Sequence, residues 1–300
     1  MAVSEDDGMA TVAQWIEGAR PRTLPNAIAP VLVGNGAALA LGAFDVTRGV
    51  LTLVVALALI IGVNFANDYS DGVRGTDDVR VGPLRLVGSK VAKPQTVRLA
   101  AFVCFGVAAV AGLAVTVLSG SYWLIAVGAL CIAAAWFYTG GKRPYGYAGL
   151  GEVAVFICFG LIAVLGTLYV QAGQFSGYGI GGAVAIGCFS SAVLVANNLR
   201  DIPTDTESGK RTLAVLIGDR DTRNLYLGLI LVPFLVSIVG SLRDGYLLLG
   251  FLALPLLLTS SRKMIKGASG KALIPVLRDT GLAMLVWAVA TAAGLALGGS

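Results

Sequence analysis

Acidic and amide side chains recur at helical spacing directly after a long apolar stretch of the sequence. Asn64, either Asn67 or Asp68, and Asp71 stand at i, i+3 or i+4, and i+7, and the apolar run LTLVVALALIIGV precedes them. On a helix these positions share one face, so their oxygen atoms form a row at the end of a membrane span. Acidic residues at a membrane edge are functional candidates, because burying a charge there is costly.

A second row follows another apolar stretch, within the sequence ANNLRDIPTDTESGKRT. Asn197, Asp201 and Asp205 stand at i, i+4 and i+8. Pro203 lacks a backbone N–H and is expected to bend or restart the helix, which would make this row less regular than the first. The two rows are predicted to be the two halves of one site.

The residue types in the two rows suit a divalent cation and a phosphate compound. Clustered carboxylates and amides are hard oxygen ligands, and Mg²⁺ is commonly bridged by one or two aspartates to phosphate oxygens. The chain contains no histidine, which excludes His-based triads and His-ligated zinc. The four cysteines show no CxxC spacing and are interpreted as packing residues. The candidate metal ligands are therefore Asp68, Asp71, Asp201 and Asp205.

Basic residues stand beside both rows. Arg74 follows the first row, Lys210 and Arg211 follow the second, and YTGGKRP brings Lys142 and Arg143 to the same end of another predicted span. Cations together with metal ions can neutralise a diphosphate. The polar residues predicted to contact such a substrate are Asn64, Asn67, Arg74, Asn197, Asn198, Lys210 and Arg211.

The other acidic residues near the two rows give weaker evidence of a functional role. Asp77, Asp78, Asp219 and Asp221 fit solvated loop charges, which is what most charged loops contain. Glu152, just inside the fifth predicted span, leaves a functional and a structural role equally open.

The composition places both rows in a membrane protein. Hydrophobic residues make up 56% of the 300-residue chain, charged residues only 13%, and the mean hydropathy is +0.82, whereas charged residues form about a quarter of a soluble domain. Apolar windows of about 18 to 23 residues predict an all-α bundle of nine transmembrane helices. They cover residues 24–42, 48–67, 96–118, 121–140, 149–170, 178–198, 223–241, 245–262 and 279–298.

The basic residues predict how these helices cross the membrane. With a cytoplasmic N-terminus, 20 of the 22 Lys and Arg residues fall on the cytoplasmic side, and only Arg48 and Arg243 on the outer side, as the positive-inside rule expects. The C-terminus is then external, and both acidic rows face the cytoplasm. The net charge of +5 is explained by this topology and gives no reason to invoke nucleic acid.

One transmembrane domain is predicted to account for residues 1–300. Residues 1–19 are polar, have no apolar core and are not a cleavable signal peptide. Two polar segments, about 68–95 and 199–222, exceed ordinary connections and are predicted to be cytoplasmic active-site loops.

Three short motifs resemble those of the UbiA superfamily of intramembrane aromatic prenyltransferases. NDYSD is similar to its NDxxD motif, DIPTD to its DxxxD motif, and Tyr138 with Lys142 to its YxxxK motif. The longer strings RPRTLPNAIAPV, NFANDYSDGVRGTDDVRVGPLRLVGS and NNLRDIPTDTESGKRTLAVLIG resemble the branch that prenylates 1,4-dihydroxy-2-naphthoate in menaquinone biosynthesis. The chain departs from the family pattern at Gly75, where some relatives carry a further acidic residue. Asp77 and Asp78 are displaced from this position.

The resemblance implies an enzyme of the bacterial inner membrane that transfers a polyprenyl group from its diphosphate to 1,4-dihydroxy-2-naphthoate with loss of CO₂, forming a demethylmenaquinone. It implies two Mg²⁺ ions that are held by the four aspartates and bridge the diphosphate, with Tyr138 and Lys142 as catalytic residues. The acceptor carboxylate needs a cationic contact, and Arg22 with Asn26 in RPRTLPN is the candidate. A charge that only orients the first helix at the interface is the alternative for Arg22.

Other functions stay open at this point. A different aromatic acceptor, 4-hydroxybenzoate or homogentisate, would use the same metal site. A secondary transporter would also carry acids in its helices, but such sites usually lie near the bilayer midplane, whereas these acids stand at the cytoplasmic edge. The sequence does not fix the prenyl length or the oligomeric state, including a homo-oligomer.

Overall fold

The computed structural model of the chain describes residues 10–75, 84–142 and 144–298. Within these ranges the regular structure is helical, which confirms the predicted all-α fold. The main helices, numbered in chain order, are α1 Val12–Ala19, α2 Pro25–Leu39, α3 Val46–Arg74, α4 Pro94–Ser119, α5 Leu124–Phe137, α6 Gly151–Ala172, α7 Gly177–Glu207, α8 Leu213–Ser241, α9 Gly245–Ile265 and α10 Ile274–Gly298. Asp77, Asp78, Arg80 and Arg143 lie outside the described residues.

Seven of these helices, α3, α4 and α6 to α10, are long and apolar enough to cross a membrane. The other two predicted spans correspond to shorter helices, α2 with 15 residues and α5 with 14. At 1.5 Å per residue such helices extend about 21 to 23 Å, less than the hydrocarbon core of about 30 Å. The described ranges therefore form a multi-pass membrane bundle, while the count of nine transmembrane helices and the orientation of the termini stay predictions.

The helices extend further into the predicted active-site loops than expected. α7 continues through Pro203 to Glu207 without a restart, so the spacing of the second row is preserved. The turn that contains Pro203 is supported by two hydroxyl groups, since Thr204 and Thr206 donate hydrogen bonds to carbonyls one turn earlier. α8 already begins at Leu213 and is interrupted at Gly218, whose φ of 81° lies in the left-handed region. The non-helical part of the second loop is therefore reduced to residues 208–212 and the interruption at Gly218.

α7 is the central helix of the bundle. In its most apolar window 72% of the residues are buried, against 28% to 50% in the other six long helices, so the outer helices leave one face for lipid. Phe189 of α7 is fully buried and packs in the main core with Met284 and Trp287 of α10. A second core joins α3 to α4 around Phe65 and Phe105.

Glycines let α6 approach α7 closely. A Cβ added to Gly160 would lie 2.6 Å from the Cα of Gly187, which is too close for any side chain. The approach coincides with a π-helical segment of α6, Phe156–Ile162, a local widening that often marks functional sites. Cys158 and Phe159 of this segment line the cavity described below.

Polar contacts tie the connecting segments together at each end of the bundle. At one end, the guanidinium group of Arg48 donates hydrogen bonds to carbonyls at the ends of α4 and α6. At the other end, backbone amides that follow α3 bond to Asp68, and the backbone N–H of Arg211 donates to the Tyr147 carbonyl at 3.0 Å. This second end gathers the connections after α3, α5 and α7 around the acidic rows.

Candidate active site

A cavity of about 860 Å³ opens among helices α2 to α7 and contains both acidic rows. Most of its wall is apolar. The residues predicted from the two rows that line it are Asn64, Asn67, Asp71, Asn197, Asn198, Asp201, Asp205 and Lys210. The structure therefore brings residues from the two distant rows into one site.

The amides of the first row are fixed by neighbouring groups. The Thr139 hydroxyl donates a hydrogen bond to Oδ1 of Asn67 at 2.8 Å. Asn64 donates through Nδ2 to the Ala19 carbonyl and to Oγ1 of Thr23, at 2.9 and 2.8 Å. These contacts tie α3 to the connection after α1 and to the connection after α5, so both amides hold defined orientations at the cavity.

Asp68 faces the segment that follows α3 and does not line the cavity. Its two carboxylate oxygens accept hydrogen bonds from the backbone amides of Leu86 and Val87, at 2.7 and 3.0 Å. The residue is completely buried, and a buried carboxylate depends on such bonds. Its role as a metal ligand stays a prediction, but these contacts favour a positioning role in which Asp68 holds the 84–92 segment on α3.

The carboxylates of the second row lie on α7 one turn apart. Asp201 forms a bidentate ion pair with Arg200, whose Nε and Nη2 atoms lie 2.7 Å from Oδ1 and Oδ2 respectively. Arg200 also donates to Oδ1 of Asn197 at 2.9 Å. Asp205 is buried as well, and both carboxylates line the cavity.

Glu152 is linked to the site through Asn198. Nδ2 of Asn198 donates a hydrogen bond to Oε1 of Glu152 at 2.8 Å, and the Ser191 hydroxyl donates to the Glu152 carbonyl at 3.1 Å. The second oxygen, Oε2, is buried and has no hydrogen-bond partner among the described residues. Because Glu152 itself does not line the cavity, these contacts favour a role in positioning Asn198.

Lys210 stands between the two rows. Its Nζ atom lies 3.8 Å from Oδ1 of Asp71 and 4.6 Å from the centre of the Tyr147 ring. The Tyr147 hydroxyl donates a hydrogen bond to the same Asp71 oxygen. The backbone N–H of Lys210 donates to the Asp205 carbonyl at 2.8 Å. A cation at this position can neutralise an anionic group that is bound by both rows.

Three other predicted cations, Arg74, Lys142 and Arg211, do not line the cavity. Arg74 donates hydrogen bonds to the carbonyls of Thr139 and Gly141 and so ties the end of α3 to the connection after α5. Lys142 and Arg211 are exposed. Their contacts with a diphosphate, and the catalytic role of Lys142, stay predictions.

Two tyrosines pack beside the acids. Tyr138 lines the cavity and meets Tyr145 edge to face, with ring centres 5.5 Å apart. The Tyr145 hydroxyl donates to the Ala134 carbonyl at 2.8 Å. Burial raises the pKa of Tyr145 to about 12, so this phenol remains a protonated donor at neutral pH. Tyr145 therefore packs against the ring of Tyr138 and is itself held by the Ala134 carbonyl.

Further cationic side chains line the cavity at the start of α2. Arg22, a predicted contact of the acceptor, is one of them, together with Arg20 and with Arg278 of α10, and the neutral amide of Asn26 lines the cavity beside them. Arg278 pairs with Asp279 at 2.8 Å, although 67% of its side chain remains exposed. Arginine binds a planar carboxylate with two parallel hydrogen bonds, so this group can hold an aromatic acid.

The carboxylates of the cavity suit a metal ion that is shared with a phosphate ligand. In the described ranges, no cluster of three or more Asp, Glu, Cys or His side chains is tight enough to hold a metal ion by itself. Mg²⁺ needs only one or two carboxylates when water and phosphate oxygens complete its six ligands. Asp71 on α3 and Asp201 with Asp205 on α7 provide such partial sites.

Several residues that line this site were not expected from the sequence patterns, among them Thr139, Tyr147 and Arg200. Thr139 and Tyr147 belong to the connection between α5 and α6. The described residues of this connection form one 3₁₀ turn, Tyr145–Tyr147, so the two residues have no helical periodicity. Arg200 was counted only as a charge for topology. Its direct adjacency to Asp201 is the one signal that points to the site.

Sequence comparison relates nearly the whole chain to known proteins. Residues 27–289 match the UbiA prenyltransferase family. The chain is 58% identical over 290 residues to the 1,4-dihydroxy-2-naphthoate octaprenyltransferase of Mycobacterium tuberculosis, covering 97% of this chain and 99% of that protein. It is 37% identical over 275 residues to the protein of the same name from Escherichia coli, covering 89% of each.

Structural comparison agrees with these matches. A UbiA homolog from Archaeoglobus fulgidus, bound to DMAPP and Mg²⁺, aligns with a TM-score of 0.61 over 95% of this chain and 99% of that one. The sequence identity is 13%, so this match shows a common fold.

Proposed function

This chain belongs to the UbiA prenyltransferase family, and we propose that it transfers a polyprenyl group from a polyprenyl diphosphate to 1,4-dihydroxy-2-naphthoate. Diphosphate and CO₂ are the other products, and the prenylated ring is a naphthalenediol, the quinol form of a demethylmenaquinone. The names of the mycobacterial and E. coli relatives support this acceptor. The observation that carries the proposal is the meeting of Asp71, Asp201 and Asp205 in one largely apolar cavity.

The cavity provides the two environments that a polyprenyl diphosphate requires. Its carboxylates and Lys210 suit the diphosphate and the metal that accompanies it. Its apolar wall, formed mainly by α3 to α6, suits the isoprenoid chain. The allylic carbon then lies at the boundary between the two, where the reaction takes place.

Magnesium suits these carboxylates, and we infer two ions, one for each acidic row. The UbiA homolog bound to Mg²⁺ supports metal dependence. When bound, the metal neutralises the diphosphate and stabilises the charge that develops as it leaves. The protein keeps the ligands oriented, since Tyr147 donates to Asp71 and Arg200 clamps Asp201.

The reaction needs no strong base. The bond between the allylic carbon and the diphosphate oxygen breaks, and its electron pair leaves with diphosphate. The ring carbon that carries the carboxylate forms the new bond, because the two hydroxyl groups make the ring electron-rich. The bond to the carboxylate then breaks, CO₂ leaves, and the electron pair restores the aromatic ring. A chain without histidine can catalyse these reaction steps, provided that the cavity keeps water away from the allylic cation.

The acceptor carboxylate is assigned to the cationic group at the start of α2. Arg22 and Asn26 line the same cavity as the acids, with Arg20 and Arg278 as neighbouring cations. The planar guanidinium group of an arginine would bind the acceptor carboxylate with two hydrogen bonds and so orient the ring before the reaction. This arrangement supports an aromatic acid as the acceptor, in agreement with the name of the relatives.

The acidic end of the cavity faces the cytoplasm in this proposal, and the bundle lies in the bacterial inner membrane. The distribution of Lys and Arg, with 20 of 22 on one side in the predicted topology, supports this orientation. The substrate diphosphate would then enter from the cytoplasmic side, while its isoprenoid chain remains within the bilayer.

A competition assay tests the acceptor. Purified protein in detergent receives one polyprenyl diphosphate, Mg²⁺ and an equal mixture of 1,4-dihydroxy-2-naphthoate, 4-hydroxybenzoate and homogentisate. We expect prenylated naphthalenediol, with CO₂ released in equal amount to product, to dominate. Prenylated 4-hydroxybenzoate as the main product, with its carboxyl retained, would contradict the assignment.

A further inference from the structure

Three glycines line the cavity without a packing contact that explains them. They lie on different helices: Gly112 on α4, Gly128 on α5 and Gly166 on α6. A Cβ added to Gly128 or Gly166 would meet no heavy atom within 4 Å, and one added to Gly112 would meet only the Val55 side chain at 3.9 Å. Each glycine therefore borders open space.

The absence of close packing distinguishes these glycines from those at helix contacts, such as Gly160. Glycine inside a helix is destabilising relative to alanine. At Gly160 this cost accompanies the close approach of α6 to α7, because a Cβ there would lie 2.6 Å from Gly187. At the three cavity positions no neighbouring helix in the described ranges requires the small residue. What the glycines preserve is the volume of the cavity.

The three glycines lie far from the acids. Val55, beside Gly112, precedes Asp71 on α3 by 16 residues, which corresponds to about 24 Å of helix. On α5, Gly128 precedes Tyr138 by 10 residues, or about 15 Å. On α6, Gly166 follows Glu152 by 14 residues, or about 21 Å. All three helices therefore place the glycines at the end of the cavity that a short prenyl chain does not reach and a long one does.

We propose that Gly112, Gly128 and Gly166 determine the longest polyprenyl chain that the enzyme accepts. The inference rests on the proposed function. With the diphosphate among Asp71, Asp201 and Asp205, the chain extends along α3 toward Val55, and its distal part occupies the space beside the glycines. A bulky side chain at any of the three positions blocks this part of the cavity and leaves the acidic end unchanged.

The experiment compares two donors on each variant. Wild type, Gly112→Phe, Gly128→Phe and Gly166→Phe are purified in detergent and assayed with 1,4-dihydroxy-2-naphthoate, Mg²⁺ and either geranyl or octaprenyl diphosphate. We expect kcat/KM for octaprenyl diphosphate to fall about tenfold or more in the variants, and kcat/KM for geranyl diphosphate to change less than about twofold. Retained geranyl transfer shows that the variant is folded.

Gly106 provides a matched control on α4. It is exposed, does not line the cavity, and a Cβ there would also meet nothing within 4 Å, so Gly106→Phe should leave the ratio of the two donors unchanged. Equal loss with both donors in all three cavity variants, or unchanged use of octaprenyl diphosphate, would overturn the inference. If wild type formed no product from either donor, the proposed function would fail, and the inference with it.

Discussion

Nζ of Lys210 lies 3.8 Å from Oδ1 of Asp71, and this contact joins the two acidic rows of the chain. Asp71 ends the row on α3, whereas Lys210 follows the row on α7. Both side chains are nearly buried, with 6% and 11% of their surfaces exposed, so their attraction is screened less than at the surface. The first predictions concern the acidic residues on both sides of this contact.

Replacing Asp71, Asp201 or Asp205 by Asn should each lower turnover by about two orders of magnitude or more, because each change removes a charged ligand from a group that acts as a unit. Product formation per folded protein measures the effect. For the same reason the double variant Asp71→Asn/Asp201→Asn should be little worse than either single one.

Asp219→Asn is the control for this series. Asp219 pairs with Arg223 at 2.6 Å, and 60% of its side chain is exposed, so we expect its loss to change turnover by less than about twofold. Full activity in Asp71→Asn, Asp201→Asn or Asp205→Asn would remove that residue from the site.

Asp68→Asn should act mainly on the segment after α3. Asparagine can accept only one of the two hydrogen bonds from Leu86 and Val87, and its amide group would face the other N–H. We expect a loss of about 1 to 3 kcal/mol in the stability of this contact, visible as faster hydrogen exchange at these two amides. The Mg²⁺ concentration for half-maximal activity should stay unchanged. Unchanged exchange with a sharply higher Mg²⁺ requirement would instead identify Asp68 as a metal ligand.

Lys210 and Lys142 should differ in their importance for the donor. Lys210 lines the cavity and contacts Asp71, whereas Lys142 is exposed and does not line it. Lys210→Met should lower kcat/KM for the diphosphate about tenfold to a hundredfold, the effect of losing one charge-assisted hydrogen bond, and Lys142→Met should have a much smaller effect. The opposite order would support the catalytic role that the YxxxK motif predicts for Lys142.

The helical scaffold and the acidic and amide residues of the cavity could be predicted from the sequence, because apolar stretches and polar side chains recur at regular spacing. Apolar windows identified the long helices, and the spacing of Asn64 and Asp71, and of Asp201 and Asp205, placed each set on one helical face. The restart expected at Pro203 does not occur, since the helix continues past this residue to Glu207. The continuation depends on local hydroxyl contacts that spacing alone does not reveal.

Residues that depend on tertiary contacts could not be assigned in the same way. Asn67 and Asp68 lie about 100° apart on the helix, and either could share a face with Asn64 and Asp71. Only the contact with the backbone at Leu86 shows that Asp68 turns away from the cavity. Tyr147 lies in the connection between α5 and α6. Its hydrogen bond to Asp71 depends on the tertiary fold, and no sequence pattern predicts it.

Membrane topology provides a separate prediction. Reporter fusions at Gly88 and Ser208 should both show a cytoplasmic location, because the segments after α3 and α7 carry basic residues and meet at the same end of the bundle. A fusion at the C-terminus should show an external location. Opposite locations for Gly88 and Ser208 would contradict the idea that the two acidic rows share one site.

The central claim, metal-dependent prenyl transfer at one site built from both rows, is tested most directly by the reaction of the purified protein in detergent. The protein is treated with a chelator and given a polyprenyl diphosphate and 1,4-dihydroxy-2-naphthoate, and Mg²⁺ is added later while diphosphate release and product mass are followed. We predict no reaction before Mg²⁺ and, after it, diphosphate and decarboxylated prenyl product in equal amounts. Product that forms equally well without a divalent metal, or no product in detergent together with substrate uptake into sealed vesicles under an ion gradient, would contradict the account.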